Sequence, residues 1–531
     1  MKKHSIGIIA LFLSLLLSSC TYLKYASIQS EYARIQNSDP SQHNLKHMLE
    51  RETFFVVGKT IDSSREYVDM PMVIAAYSDK FKRNERVDKM LLYGSGTHFG
   101  LNLPPGTFDL VVLADIDKDG YFTSREIIGN KRIDLNLEDN VQKIASKINI
   151  ILNVTEKEFE LEPIKVGQSL NIQRSFFYPS GALRSLEDPI FDTNVATLGM
   201  YDPASFLEYA PTMFYALEED QSHKIPVVFV HGINDSPRRF KTIIANLDRD
   251  RYKPWFFYYP SGGDLDQLAD LFYNIFISGK VILLDDMPLI VIAHSMGGLI
   301  VRESLNNYEG LDKENKLKLF VSIASPLGGH PEAKSGVERG LIVLPAWRDL
   351  DPSSQFIQNL YSIPLPKFVK HHLFYAYRNS DTLKLGENSD GVVPLSSQLH
   401  PSAQQQSSKQ RGFKSGHADI LNDPKMIEVL MDTMAKVEGL FPNEHMTMLK
   451  HAGMNLQLDE SYDPRTKYLI SYSGQYIAKL INGTISPFHP HQEIFLQVIK
   501  GKRKATNFIE KDFYRLVKEY PEIFNLENTN E

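Results

Sequence analysis

The apolar residues of this chain fall in runs of changing length and spacing, and those changes divide it into segments. After Met1-Lys2-Lys3-His4 an apolar run extends from Ile6 to Leu17 and ends at Ser18-Ser19-Cys20. Residues 20–52 are polar with scattered aromatics and turn residues such as Asn37-Ser38-Asp39-Pro40, the texture of a tether that needs little fixed structure. From 53 to 166 come short apolar runs, Phe54-Phe55-Val56-Val57, Met72-Val73-Ile74-Ala75-Ala76 and Phe108-Asp109-Leu110-Val111-Val112-Leu113, separated by Gly, Pro, Asn and Asp. Strands at that spacing predict a small β-sandwich. Residues 167–223, with Tyr178-Pro179-Ser180-Gly181, Asp188-Pro189 and Asp202-Pro203, read as an irregular linker that packs against its neighbours.

A different rhythm begins at residue 224. Ile225-Pro226-Val227-Val228-Phe229-Val230, Pro288-Leu289-Ile290-Val291-Ile292, Leu319-Phe320-Val321-Ser322-Ile323-Ala324 and Leu373-Phe374-Tyr375-Ala376-Tyr377 are continuous apolar runs, as buried strands require. The second leads through a turn into Leu299-Ile300-Val301-Arg302-Glu303-Ser304-Leu305, patterned as a packed helix. Past residue 439 the pattern is mixed and ends in Lys- and Glu-rich sequence around Phe508 to Leu526, predicting a mostly helical segment over 440–531.

Composition narrows the function. A chain of 531 residues with 42% hydrophobic content can build more than one core. Its net charge of -7 supplies no basic footprint, which argues against a nucleic-acid partner. The single cysteine, Cys20, follows an apolar core of 12 residues, shorter than the roughly 20 that a spanning helix needs, so residues 1–19 read as an export signal. Leu17-Ser18-Ser19-Cys20 resembles a bacterial lipobox. That resemblance implies cleavage before Cys20, a lipid on its thiol and attachment to a bacterial membrane, with Thr21 pointing to the outer membrane in a Gram-negative host. A lone modified cysteine leaves the mature chain no internal disulfide and no thiolate nucleophile.

The chemistry centres on Ala293-His294-Ser295-Met296-Gly297-Gly298, where a strand delivers a serine into a turn of small residues before a helix. On such a turn the hydroxyl stands above the sheet, and the first helical amide faces the place where an oxyanion would form. Upstream, strand Ile225–Val230 runs into His231-Gly232-Ile233-Asn234, a glycine turn able to offer a second N–H. Downstream lie Asn388-Ser389-Asp390-Gly391-Val392-Val393-Pro394 and Gly416-His417-Ala418-Asp419-Ile420-Leu421. The order Ser, Asp, His and these motifs resemble the α/β-hydrolase superfamily, within it bacterial lipases and esterases, over roughly Lys224 to Gly439, with Ala293 replacing the first glycine of G-x-S-x-G.

The resemblance implies an α/β-hydrolase fold, a mostly parallel sheet with helices on both faces, preceded by the β-sandwich. It casts Ser295 as nucleophile, His417 as general base and acid, Asp390 as the group that orients the imidazole, and the N–H of Met296 with that of Gly232 or Ile233 as oxyanion hole. Asp381 and Asp419 are rival acids, and His371, His372 and His400 rival bases; His231 and His294 read as structural. The insertion 326–370, rich in Pro, Leu, Ile and Phe and carrying Trp347, lies where caps over an acyl site commonly sit. The implied activity is serine-dependent cleavage of carboxylic esters, lipid or acyl esters among them, without a catalytic cofactor. Acyl transfer with the same triad is one alternative, and a surface adhesion lipoprotein with a non-catalytic hydrolase body another, although no triad member is missing.

One motif lies outside this machinery. Asp115-Ile116-Asp117-Lys118-Asp119-Gly120-Tyr121-Phe122-Thr123-Ser124-Arg125-Glu126 places carboxylates at loop positions 1, 3 and 5, glycine at 6 and glutamate at 12, the spacing of a calcium loop. The preceding Pro104-Pro105-Gly106 and β-branched run exclude an entering helix, so the context is not an EF-hand. Asp115, Asp117, Asp119, Glu126 and the carbonyl of Tyr121 are the candidate ligands of a structural calcium, and a metal-free acidic hairpin is the alternative.

Overall fold

The computed structural model describes residues 54–524 apart from 68–69, 79–85, 97, 137–143, 156–158, 166–172, 179–181, 211, 280, 283–286, 309–315, 340–342 and 379–387, together with residues 26, 27 and 30. The expected signal segment 1–19, Cys20 and most of the expected tether 20–52 lie outside these residues. The chain divides into two compact units. Most of it up to Val437 forms the first, and Glu438–Glu531 with two short excursions, Gln221–Ile225 and Arg249–Arg251, the second.

Among the described residues the sandwich has nine strands: β1 Phe54–Ile61, β2 Pro71–Ser78, β3 Arg86–Tyr93, β4 His98–Leu103, β5 Gly106–Ala114, β6 Tyr121–Phe122, β7 Ile127–Leu135, β8 Ile144–Ile151 and β9 Ile164–Lys165. A four-stranded sheet in the order β3-β2-β5-β7 and a three-stranded one, β4-β1-β8, share a core that includes Phe54, Val56, Ile74, Phe99, Leu101, Leu110 and Val112. Along β2 and β5 alternate residues enter that core, yet the intervening Val73, Ala75, Val111 and Leu113 are also buried, under Phe122 and Ile164 of the β6-β9 ribbon. Burial on both faces explains why these two strands read as continuous rather than alternating apolar runs.

The largest sheet has, among the described residues, nine strands: β10 Gln173–Arg174, β11 Ala182–Leu183, β12 Phe214–Ala216, β13 Ile225–Val230, β14 Tyr252–Phe257, β15 Leu289–His294, β16 Leu317–Ile323, β17 Lys370–Ala376 and β18 Lys409–Phe413. Their order is β10-β11-β12-β14-β13-β15-β16-β17-β18, and β13, β15, β16, β17 and β18 run parallel, with Val230 beside Ala293, Ala293 beside Ser322 and Ile323 beside Phe374. Every residue of β13 and β15 is buried, as helices on both faces demand. This is an α/β-hydrolase fold. The loops that leave the carboxyl ends of β13, β15, β17 and β18 collect at one edge, where open α/β sheets place their sites.

Two segments depart from the expectation. Residues 167–223 are not a plain linker, since they supply β10, β11 and β12 and the helices Thr193–Tyr201 and Pro203–Tyr209. Strands of two or three residues are too short to show periodicity, but Asp202-Pro203 was a readable helix start: Asp202 Oδ1 accepts from the Ser205 N–H at 3.2 Å, with proline in the first turn. The insertion 326–370 forms helices Pro331–Arg339, Pro345–Leu350 and Gln355–Asn359. Leu350, Phe356, Ile357 and Leu360 belong to the hydrolase core, whereas Leu344 and Trp347 pack in a separate cluster with Met200, Leu198, Tyr201 and Ile233.

The second unit contains helices Asn443–Leu449, Pro464–Ile481, Pro490–Ile499 and Phe508–Glu519 around its own core of Ile470, Leu480, Ile481, Leu496, Phe513 and Leu516. Among the described residues no helix is long and apolar enough to cross a membrane.

Candidate active site

Ser295 follows the last residue of β15 and precedes the helix Gly297–Ser304. Its φ of 53° lies in the left-handed region, a conformation costing a non-glycine residue about 1–2 kcal/mol. The turn is held in place by the Ser295 N–H, which donates to the Ile323 carbonyl at 2.9 Å, and by the Gly298 N–H, which donates to the Ser295 carbonyl at 3.0 Å. Glycine is required nearby because a Cβ on Gly297 would stand 2.6 Å from both the Val230 and His231 carbonyl oxygens, and one on Gly232 would stand 2.8 Å from Ser295 Cβ. Close passage of β13, β15 and the helix thus dictates the small residues around the serine.

The three side chains that the sequence brings to attention converge. Ser295 Oγ lies 2.9 Å from His417 Nε2, and His417 Nδ1 lies 2.7 Å from Asp390 Oδ2. The carboxylate is buried and fixed on four sides: Oδ1 accepts from the N–H groups of Val392 at 2.9 Å and Val393 at 2.7 Å, and Oδ2 from Gln398 Nε2 at 3.1 Å as well as from the imidazole. A carboxylate so held keeps Nδ1 protonated, leaving Nε2 bare to accept from the serine hydroxyl. Ser295 is 7% exposed and the His417 side chain 14%, so the reacting edge is narrow but accessible.

The rivals go elsewhere. Asp419 pairs at 3.2 Å with Arg378 on the surface, and Asp381 lies outside the described residues. His371 stacks on Phe320 and contacts Ser322 Oγ at 2.8 Å, His372 is buried within β17, and His400 stacks on Tyr361. Gln398 escaped sequence reasoning, because nothing in its surroundings distinguishes it from other polar helix residues.

His231 and His294 have structural partners. His231 Nδ1–H donates to the Gly232 carbonyl at 2.7 Å, and its ring lies flat against Tyr259, whose hydroxyl donates to the His231 carbonyl at 2.6 Å. Burial pushes its pKa down to about 3. His294 Nε2–H donates to the His417 carbonyl at 2.9 Å, and burial, with the neighbouring His417 charge second, holds it well below the ordinary histidine range. Both rings are therefore neutral and act as braces.

With the Gly232 carbonyl committed to the His231 ring, the trans peptide turns the Ile233 N–H the opposite way. Neither that N–H nor the Met296 N–H donates to a protein acceptor among the described residues. The Gly232 N–H likewise has no protein acceptor among the described residues, so both upstream candidates remain able to donate, and the Ile233 side chain joins the apolar cluster of Met200, Leu344, Tyr201 and Trp347.

In the sandwich, Asp115, Asp117 and Glu126 each bring one carboxylate oxygen to within 4.8 Å of the others. The Asp119 carboxylate does not join them and accepts from the Tyr121 N–H at 2.8 Å.

Comparison with known proteins gives partial matches. A family model described as lecithin:cholesterol acyltransferase matches residues 275–385, which include the Ser295 turn. Over 178 residues, 33% of this chain, the sequence is 29% identical to protocadherin alpha-4 of Rattus norvegicus and 28% identical to that of Mus musculus; the match spans 18% of each of those proteins, far less than their full length. Among solved structures, the mature lipase BlEst2 of Bacillus licheniformis is 16% identical, with 42% of this chain and 97% of that one covered and a TM-score of 0.33. Aspergillus fumigatus lipase B is 15% identical over 45% of this chain and 59% of that one at a TM-score of 0.34. Phospholipase PlaB from Legionella pneumophila is 21% identical over 33% and 44%, at 0.28.

Proposed function

We propose that this chain is an exported, lipid-anchored serine hydrolase that cleaves carboxylic esters of the acyl or lipid class through an acyl-enzyme on Ser295. The observation that carries this reading is the unbroken line from Ser295 Oγ through both nitrogens of His417 to a buried, fourfold-bonded Asp390. As the serine oxygen attacks the ester carbonyl, its proton passes to His417 Nε2, and the imidazolium is stabilised by the carboxylate beside it. The carbonyl oxygen, now negative, accepts from the Met296 N–H and that of Gly232 or Ile233. His417 returns the proton to the leaving alkoxide, leaving an ester on Ser295. Water, deprotonated by His417, then attacks that ester and releases the carboxylic acid and the free serine.

Substrate class is supported by the apolar side chains that flank the oxyanion turn: Ile233, Met200, Tyr201, Leu344 and Trp347. An acyl chain laid against them gains about 0.8 kcal/mol per buried methylene. Kinetics on p-nitrophenyl esters of graded acyl length test this. Trp347→Ala is expected to lower kcat/KM for long acyl chains by about tenfold or more while leaving the acetyl ester within about twofold. An equal loss at all lengths would remove the acyl-chain role of the cluster, and a wild type inert toward every ester would remove the function.

Acyl transfer is a second reading, favoured by the lecithin:cholesterol acyltransferase match over 275–385. It differs only in whether water or an alcohol takes the acyl group from Ser295, so partition of product in the presence of a long-chain alcohol separates the two. Anchoring is supported by the lipobox-like Leu17-Ser18-Ser19-Cys20 and by Ala26, which packs in the same apolar cluster as Ile233. Five residues lie between Cys20 and Ala26, and the six Cα–Cα steps span at most about 20 Å, which would hold the apolar rim of the site close to the membrane. Cys20→Ala is expected to move the protein from the membrane pellet to the soluble fraction; retention in the pellet would contradict the anchor.

A further inference from the structure

We propose that the loop Asp115–Glu126 of the sandwich binds one calcium ion, independently of the hydrolase chemistry. Asp115 directly follows β5, one of the two inner strands of the four-stranded sheet, and its N–H donates to the Pro71 carbonyl at 3.0 Å. The residue is 6% exposed, and its Oδ1 has no hydrogen-bond partner. A buried carboxylate oxygen without a donor is costly, so this atom is an acceptor in want of a positive partner. The oxygens of Asp117 and Glu126 lie within 4.8 Å of one from Asp115, and among the described residues no lysine, arginine or histidine pairs with any of the three. Three like charges at that separation repel unless a cation lies between them.

The backbone supports the same conclusion. Lys118 and Gly120 take positive φ values of 59° and 84°, which fold the loop back on itself. Asp117 Oδ1 accepts from the Asp119 N–H at 3.1 Å and Asp119 Oδ1 from the Tyr121 N–H at 2.8 Å, while Glu126, buried, accepts from the Ile116 N–H at 2.8 Å through Oε1 and from the Thr123 N–H at 2.8 Å through Oε2. Glu126 is thereby drawn across the loop toward its first residue. Beneath it Phe122 and Ile164 are buried through the β6-β9 pairing, so the ligands stand on a rigid floor. The donors are all oxygen, with no imidazole or thiolate, which selects a hard cation. Converging carboxylates at loop positions 1, 3 and 12 suit calcium better than the smaller, strictly octahedral magnesium.

The test uses the full-length protein stripped with chelator, titrated calorimetrically with calcium and separately with magnesium, and melted with and without each. Expected are one calcium per chain, a weaker magnesium response, and a rise in Tm of several degrees at saturating calcium. Asp117→Ala, an exposed position, should abolish both heat and Tm shift while ester hydrolysis stays unchanged. Asp115→Asn should weaken binding at least about tenfold and, by removing the buried charge, raise the Tm of the calcium-free form. Absence of heat and of a Tm shift in the wild type up to about 10 mM calcium, an equal response to magnesium, or full binding by Asp117→Ala would each overturn the proposal.

Discussion

Ser295→Ala is expected to reduce kcat/KM toward a p-nitrophenyl ester by about 10⁴-fold or more, a loss of about 5.5 kcal/mol of transition-state stabilisation. The size follows from the division of labour at the site. Removal of Oγ eliminates the covalent route entirely, and the Met296 amide with that of Gly232 or Ile233 can then assist only the slow direct attack of water. His417→Ala should cost nearly as much, since the hydroxyl at 2.9 Å from Nε2 loses the base that makes it a nucleophile. Because the two act as a unit, the double variant should be no slower than either single one. Additive losses would mean that serine and imidazole serve different steps. The melting curve of Ser295→Ala should match the wild type, since only a hydroxyl is removed, whereas His417→Ala takes one donor from the buried Asp390 carboxylate and should melt lower.

The second large effect is on stability in acid. Burial holds His231 and His371 at about 3 and His372 at about 4, and places His294 well below the ordinary range. A histidine whose folded pKa is depressed binds its proton only after unfolding, so its contribution is present above about 6.5 and is lost as the pH falls toward the folded value. Glu303 and Asp349, which burial raises to about 7, work the other way: they take up protons first in the folded state and stabilise it over the same window. More buried histidines are depressed than buried carboxyl groups are raised, so the net effect is a loss of stability as the pH falls below about 6.5. Tm measured at pH 6.5, 5.5 and 4.5 should therefore fall steeply, and His371→Gln should flatten the slope. A Tm that is constant or rises over that interval would contradict the burial of these rings.

Part of this architecture was legible in the sequence because it is written locally. The apolar run of β15, the small residues after it and the helix beyond Gly297 form one continuous signal of strand, turn and helix, and the left-handed Ser295 sits where that signal places it. Sandwich strands β1, β2 and β5 announced themselves by apolar runs for the same reason. What the sequence left open was settled by pairing over long distances: Asp419 lies only two residues beyond His417 yet turns to Arg378, while Asp390 reaches the imidazole. Gln398 could not be found because its role exists only once Asp390 and the Ala376 and Val393 carbonyls surround it. The expected linker concealed three strands whose existence depends on the edge of a sheet built by residues that come later in the chain. The insertion 326–370 divides its apolar residues between core and active-site flank, a division no periodicity encodes.

The central claim, that Ser295 is made a nucleophile by His417 and Asp390, is tested most directly by reaction with a fluorophosphonate and mass spectrometry of the digested protein. The account predicts one phosphonyl adduct per chain, on Ser295, formed far more slowly in His417→Ala. A folded wild-type protein that takes no label, or that carries it on another residue, would contradict it.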